Sequence, residues 1–296
     1  MLKKFSEYKF HVLPYLNPFI KGNINRMKYV CGINKTTKRE FPIIVSLTSY
    51  RERFMNIQIT LYSLLNQSLK PDKIILWLDK ETEDLTTIPY EITQFIKNGL
   101  EVRFVKDIKS YTKAIYAFKE NPDCIIVTAD DDIYYRKDWL KNLYLSYIAH
   151  PEDIHCHRAH RIKLNDKNDL CPYKTWKKQI NQETARYDNF LTGAGGVLYP
   201  PKCFGKEVLR EDIFLKNAPT ADDIWFWIMA ITHGKKIRVV KNHYRRLFIT
   251  NIFGHLFNKN LYSVNKKGGN DLQLENLMKL YGQNIITRIK SEASHD

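Results

Sequence analysis

Asp123 to Tyr135 reads DCIIVTADDDIYY. Ile125, Ile126 and Val127 are apolar without polar alternation, in a run too short for a helix, which is the pattern of a buried strand. Three carboxylates follow almost at once: Asp130, Asp131 and Asp132. Like charges stacked at a strand's end repel one another and raise each other's pKa unless something positive sits among them. A divalent metal carrying a phosphorylated ligand is the expected neutraliser. A solvated Asp-rich turn is the bland alternative. It fits poorly, because the strand before is wholly apolar and IYYRKDWL after it runs straight into a packed helix.

Upstream, Ile43 to Leu47 reads as a strand. Ile57, Leu61, Leu64 and Leu65 recur at helical spacing, closed by NQSLKPDK with Pro71 beyond the end. Lys73 to Leu78 and Val102 to Val105 give two more strands, and Tyr111, Ile115 and Phe118 one short helix face. Trp139, Leu140, Leu143, Tyr144, Tyr147 and Ile148 mark an amphipathic helix after the aspartates. The alternation predicts an α/β fold with a mostly parallel sheet flanked by helices. Ligands in such sheets bind beyond the carboxyl ends of the strands, where Thr48 to Arg53, Asp79, Asp107 and the three aspartates fall.

The second half is less regular. IHCHRAHRI reads as one strand and GAGGVLYPP as a glycine-hinged strand ended by prolines. PTADDIWFWIMAITHG reads as a helix with Thr220 as N-cap, Asp223 three residues on as in a capping box, and Gly234 as the stop. KKIRVV is a further strand, and NDLQLENLMKLYG a short last helix ending at Gly282. Asp222 and Asp223 open the Thr220 helix, where the helix dipole favours an ionised carboxylate suited to a general base. Plain capping is the competing reading of that pair.

Several classes drop out. His155, Cys156, His157 and His160 match no closed Cys/His zinc spacing. GAGG at Gly193 to Gly196 is not a dinucleotide fingerprint, and no P-loop sequence occurs. No apolar run is long enough to span a bilayer. Five scattered cysteines argue for a reducing compartment without disulfides.

The chain has 296 residues, 44% of them hydrophobic, and a net charge of +15, which favours an anionic partner. The first forty residues hold nine Lys and Arg against Glu7 and Glu40, interleaved with Phe5, Tyr8, Phe10 and Phe19. Such a leader suits an anionic membrane face, so the expected location is cytoplasmic, with peripheral attachment to the inner face of the membrane. A nucleic-acid-binding module is disfavoured, since buried-strand aspartates would repel phosphates.

IIVSLTSYRERFMNIQITLYSLLNQSLKPDKIILWLD, YTKAIYAF, IIVTADDDIYYRKDWL and ADDIWF together resemble a bacterial glycosyltransferase of the GT-A fold, close to the family 2 type. The resemblance covers Phe41 to Val240 and extends to GGND at Gly268 to Asp271. It implies a Rossmann-like single large domain with a smaller acceptor-side region. A basic leader (1–40) would precede a nucleotide-sugar-binding half (41–150) and an acceptor-binding, catalytic half (151–296).

By that resemblance Asp132 is the principal ligand of Mn²⁺ or Mg²⁺ on the donor's diphosphate, with Asp130 on the metal or the ribose. Thr48, Tyr50, Arg51, Asp79, Lys113, Asp130 and Asp131 are assigned to the nucleotide-sugar. Asp223 is the base of an inverting transfer, with Asp222 as substitute. The implied partners are a UDP-sugar donor and a saccharide acceptor, lipid-linked ones included, as in lipopolysaccharide or capsule synthesis, with hexosyl transfer expected. A metal-dependent nucleotidyl- or phosphotransferase is the alternative enzyme.

Overall fold

Burial is continuous along the central strands, as a sheet covered on both faces requires, and successive side chains enter opposite cores. In β1 (Ile43–Thr48) Ile44 packs into one core cluster, while Ile43, Val45 and Leu47 pack into a second. In β2 (Lys73–Asp79) Ile75 and Trp77 join the first cluster; Ile74, Leu76 and Leu78 join the second. The computed structural model describes residues 31–241, 247–250 and 269–293. The basic leader expected on residues 1–40 falls largely outside them, as does Gly268.

β1 lies parallel to β2 and to β4 (Ile125–Thr128), and β2 lies parallel to β3 (Leu100–Val105). The short β5 (Ile133–Tyr134) follows, then β6 (Ile154–Cys156), β7 (Ala159–Arg161), β8 (Asn189–Leu191), β9 (Val197–Tyr199), β10 (Ile237–Val239) and β11 (Phe248–Ile249). The main sheet has seven strands in the order β10-β6-β9-β4-β1-β2-β3. β9 runs antiparallel to both β4 and β6, and β10 runs parallel to β6. The fold is the expected α/β type with a mostly parallel sheet, built from strands on both sides of residue 150.

Two helices, α1 (Phe54–Leu65) and α3 (Trp139–Ala149), supply the second cluster with Ile57, Leu61, Leu64, Trp139, Leu140 and Leu143. The opposite face is covered by α2 (Thr112–Glu120), α4 (Glu211–Asn217), α5 (Asp222–Thr232) and α6 (Asn270–Ala293). α1 links β1 to β2 on one face and α2 links β3 to β4 on the other. The direction of winding therefore reverses between β1 and β4. That reversal opens the crevice in which α/β sheets hold ligands.

α5 is apolar nearly all round, which is the signature of a helix enclosed on every side. α6 closes over it with Leu274, Leu277, Ile285 and Ile289 buried.

Three local expectations are corrected. α6 does not end at Gly282 but runs on to Ala293. Glycine stops a helix by adopting positive φ, and Gly282 does not. As an interior glycine it costs about 1 kcal/mol, which burial of Ile285 and Ile289 offsets. Gly234, at φ +73°, does end α5 as expected. Thr220 is not the N-cap of α5; Ala221 is, without a side-chain cap. The amide and hydroxyl of Thr220 both turn to Gln273 Oε1, at 2.9 and 3.2 Å, tying α5 to α6. IHCHRAHRI makes two strands rather than one. β6 belongs to the main sheet and β7 pairs with β8. No described helix is long and apolar enough to cross a membrane.

Candidate active site

The β1–β4 crevice is lined by the loop after β1 and the aspartates after β4. The three aspartates split between two cations: Asp130 turns to Lys113, while Asp131 and Asp132 share Arg53. Asp131 turns inward and is only 6% exposed. Ser49 Oγ donates to its Oδ2 at 2.6 Å and Arg53 Nη1 to its Oδ1 at 2.5 Å. Burial pushes this carboxyl up to about 6, against the pull of the Arg53 guanidinium. The same Arg53 Nη1 reaches Asp132 Oδ2 at 3.1 Å. Asp130 takes a different cation: Lys113 Nζ donates to its Oδ1 at 2.6 Å. The Asp130 backbone N–H donates to the Tyr135 phenol oxygen at 2.8 Å, and that ring lies 4.4 Å from Trp139.

Lys113 links the two acidic groups that the sequence places ninety residues apart. Its ammonium, with 9% of the side chain exposed, also lies 3.3 Å from Asp222 Oδ2 at the start of α5. Burial alone would favour neutral Lys113, but Asp130, Asp222 and Asp223 outweigh it and hold the lysine charged well above its ordinary range. The position of Lys113 is set from below. Trp77 Nε1 donates to Ser46 Oγ at 2.7 Å, and Ser46 in turn donates to the Lys113 carbonyl.

Asp223 is held by backbone. The Gly193 N–H donates to its Oδ1 at 2.9 Å. A Cβ on Gly193 would stand 2.9 Å from that same oxygen, so the approach requires glycine. Burial, then the neighbouring Asp222 charge, push the Asp223 carboxyl up to about 8, with Lys113 opposing. GAGG thus serves close packing. Gly196, at φ +87°, leaves no room for a Cβ beside the Trp139 ring.

The region from residue 45 to residue 204 matches the model for glycosyl transferase family 2, more than half of the chain. The chain belongs to that family. The match takes in the aspartates, Lys113 and Gly193, and it stops before Asp222 and Asp223.

Among solved structures, residues 1–349 of S. aureus TarS in complex with UDP superpose with a TM-score of 0.48 at 16% identity, over 71% of this chain and 61% of that one. The same TarS fragment with UDP-GlcNAc gives 0.47 at 17%, over 70% and 57%. The mannosyltransferase PcManGT from Pyrobaculum calidifontis, in complex with GDP-Man and Mn²⁺, gives 0.52 at 12%, over 87% of this chain and 70% of that one. The PcManGT likeness is one of fold. This chain spans less than two thirds of the TarS chains it overlaps. No curated protein matches the sequence.

In this family 2 chain the donor set suits a hard cation in part. Asp130 and Asp132 offer carboxylate oxygens at the open end of β4, and Mg²⁺ or Mn²⁺ takes one or two carboxylates with substrate phosphates completing the shell. Asp131 does not fit, since both its oxygens are engaged inside the protein; the expectation that it meets the nucleotide is not retained. Among the described residues no group of three or more His, Cys, Asp and Glu is arranged to hold a metal. The zinc-like histidines have other work. His155 bonds Ser146 Oγ and the His150 carbonyl, and His160 Nδ1 accepts from the Gln179 amide. Burial drives both rings down to about 3.

The remaining expected residues line the loops around the crevice. Thr48 Oγ1 donates to the Trp77 carbonyl at 3.0 Å. Tyr50 is 54% exposed, with its hydroxyl accepting from Arg53 Nε at 2.9 Å. Arg51 makes a two-pronged pair with the buried Glu83, at 2.9 Å for each bond. Asp79 caps the turn at Glu81 and Thr82. Sequence reasoning missed Ser49, Arg53, Glu83, Tyr135 and Gly193. The signal for Arg53 was present: three adjacent carboxylates demand a cation, and Arg53 lies in the loop after β1. A groove of ≈ 460 Å³ between Ile33, Asp72, Leu100 and Glu101 lies at the amino-terminal ends of β2 and β3, away from this chemistry.

Proposed function

We propose that the chain transfers a sugar from a nucleotide-sugar to a hydroxyl of a saccharide acceptor. The observation that carries this reading is the meeting of Asp130 and the Asp222–Asp223 pair around Lys113, in the β1–β4 crevice of a family 2 chain. Glycosyl transfer has two electrostatic requirements: charge must be stabilised on the leaving diphosphate, and a base must take the acceptor's proton. The aspartates after β4 would meet the first through a bound cation, and the α5 pair would meet the second.

On the donor side Asp132 and Asp130 would hold Mn²⁺ or Mg²⁺, which when bound supplies Lewis-acid stabilisation of the diphosphate. PcManGT, of the same fold, is recorded with GDP-Man and Mn²⁺. Thr48, Tyr50, Arg51 and Asp79 border the nucleotide, and exposed Tyr50 offers a face for the base. Uridine is the expected base. Residues 41–150 form the donor half and 151–296 the acceptor half.

On the acceptor side Asp223 is the base. A carboxyl raised to about 8 has a strong proton affinity for a group of its kind, and the Gly193 N–H fixes one oxygen so that the other can face the hydroxyl. A single displacement with Asp223 as base inverts the anomeric centre. Attack by a saccharide on a lipid carrier, in surface polysaccharide synthesis, would match a basic leader resting on an anionic cytoplasmic membrane face.

The test is a panel of UDP-, GDP-, CMP- and dTDP-sugars incubated with and without Mn²⁺. Release of the nucleoside diphosphate together with a glycosylated acceptor is the expected outcome, best with a UDP-sugar. Release of pyrophosphate, or binding of none of the panel, would refute the reading.

A further inference from the structure

Arg53 is shared by two neighbouring aspartates after β4. Its Nη1 holds buried Asp131 at 2.5 Å and Asp132 at 3.1 Å, while its Nε donates to Tyr50 and its guanidinium lies 5.1 Å from the Tyr50 ring centroid. The two aspartates are not equivalent. Asp131 is fixed on its other oxygen by Ser49, whereas Asp132 is the carboxylate assigned to the metal. Building on the donor site proposed above, we propose that Arg53 is an internal counter-ion for Asp132, displaced toward the diphosphate when metal and donor arrive, so that the two bind together rather than singly.

A divalent cation on Asp132 would meet the positive Arg53 at the same carboxylate group, so metal alone would weaken a favourable pair and face its repulsion. Arg53 stays anchored through the shorter Nη1 contact to Asp131, turns that nitrogen away from the longer Asp132 contact, and presents its outer edge to the donor. A diphosphate gives that edge a replacement anion in a geometry guanidinium groups match well. The nucleotide thus removes the obstacle to the metal, and linkage requires that the metal strengthen nucleotide binding by the same factor. Arg53 acts on the metal through Asp132 and is therefore a positioning residue.

The test measures Mn²⁺ affinity, from the electron-spin-resonance signal of free Mn²⁺, with and without UDP. It uses full-length wild type, Asp131→Asn, and Asp131→Asn with Arg53→Met. Removing the buried Asp131 charge together with its half-buried Arg53 partner leaves neither of that pair stranded, so the double variant keeps its fold, which thermal unfolding checks. Arg53→Lys, which keeps the charge and loses the fork, is a second probe should the double variant fail. Without UDP the double variant is expected to bind Mn²⁺ at least about tenfold more tightly than Asp131→Asn, with a correspondingly smaller gain on adding UDP. Arg53→Lys should shrink the UDP gain relative to wild type. Equal Mn²⁺ affinity in the single and double variants, or an unchanged UDP gain in Arg53→Lys, overturns the proposal. A wild type that binds UDP-sugar equally well in EDTA would instead overturn the metal reading itself, and that arm separates the two failures.

Discussion

The end of β4 and the start of α5 each carry adjacent carboxylates, yet the protein treats them differently. After β4 the charges are divided between two cations, and each carboxylate has one within hydrogen-bonding distance: Lys113 for Asp130, and Arg53 for Asp131 and Asp132. At α5 Asp222 is buried and Asp223 half-buried, with the far side of Lys113 for charge, and Asp223 leans on a backbone N–H. A compensated, partly open cluster is built to exchange one counter-ion for another. An under-compensated, closed one is built to hold a proton. Neighbouring acidic residues thus differ in function according to how completely their charge is answered.

The largest effect that could break this contrast is on turnover. Asp223→Asn should cost about 10²- to 10⁴-fold in transfer rate, the usual loss for a general base. The amide can still accept the Gly193 N–H bond, so the fold is retained. Turnover of Asp222→Asn measured in parallel decides the pair: if that variant is dead and Asp223→Asn active, the base is Asp222.

Next in size is the shared cation. Lys113→Met leaves Asp130 and Asp222 facing one another without the charge between them. A buried pair broken on one side typically loses about 3–5 kcal/mol, to be read from denaturant unfolding. A loss near zero would mean that solvent, not Lys113, answers these carboxylates.

Smaller is the effect of Gly193→Ala. Its Cβ would stand 2.9 Å from Asp223 Oδ1 and 3.4 Å from Lys113 Nζ, so the carboxylate must shift. Turnover should fall about tenfold or more while donor affinity holds, as a displacement near 1 Å implies. Donor affinity falling in proportion would place Gly193 in the donor site instead.

The gentlest perturbation is pH. Asp223 titrates at about 8 in the folded protein against an ordinary carboxyl value of 3.8. The folded state therefore binds the proton more tightly. That stability is fully present below about 4 and is lost as pH rises through about 8. Activity should run the other way, with kcat/KM rising toward pH 8 as the base ionises. Asp223→Asn should flatten the stability profile across that window. An unchanged profile would show that Asp223 is ionised throughout.

Much of the donor side was legible from local pattern. Apolar runs too short for a helix, such as Ile125–Val127, read as buried strands, and carboxylates at their ends sit where parallel sheets bind ligands. The acceptor side was legible only as a helix with acids at its start. That Lys113 reaches Asp222 depends on how α2 and α5 pack on the same sheet face, which no local spacing encodes. Lys113 was expected near the nucleotide or its phosphates; its ammonium lies beside Asp130 and also reaches Asp222. The misread Thr220 cap and Gly282 stop share one cause. Both signals are local preferences, and the packing of α6 on α5 overrode them, through Gln273 in one case and through Ile285 and Ile289 in the other.

The central claim, that the β4 aspartates serve the donor and the α5 pair serves the proton, is tested most directly by calorimetric titration of UDP with and without Mn²⁺. Wild type, Asp132→Asn and Asp223→Asn would be compared. The account predicts Mn²⁺-dependent UDP binding in wild type and Asp223→Asn alike, and its loss in Asp132→Asn with the fold intact. Unchanged Mn²⁺-dependent affinity in Asp132→Asn, or its loss in Asp223→Asn, would contradict that division.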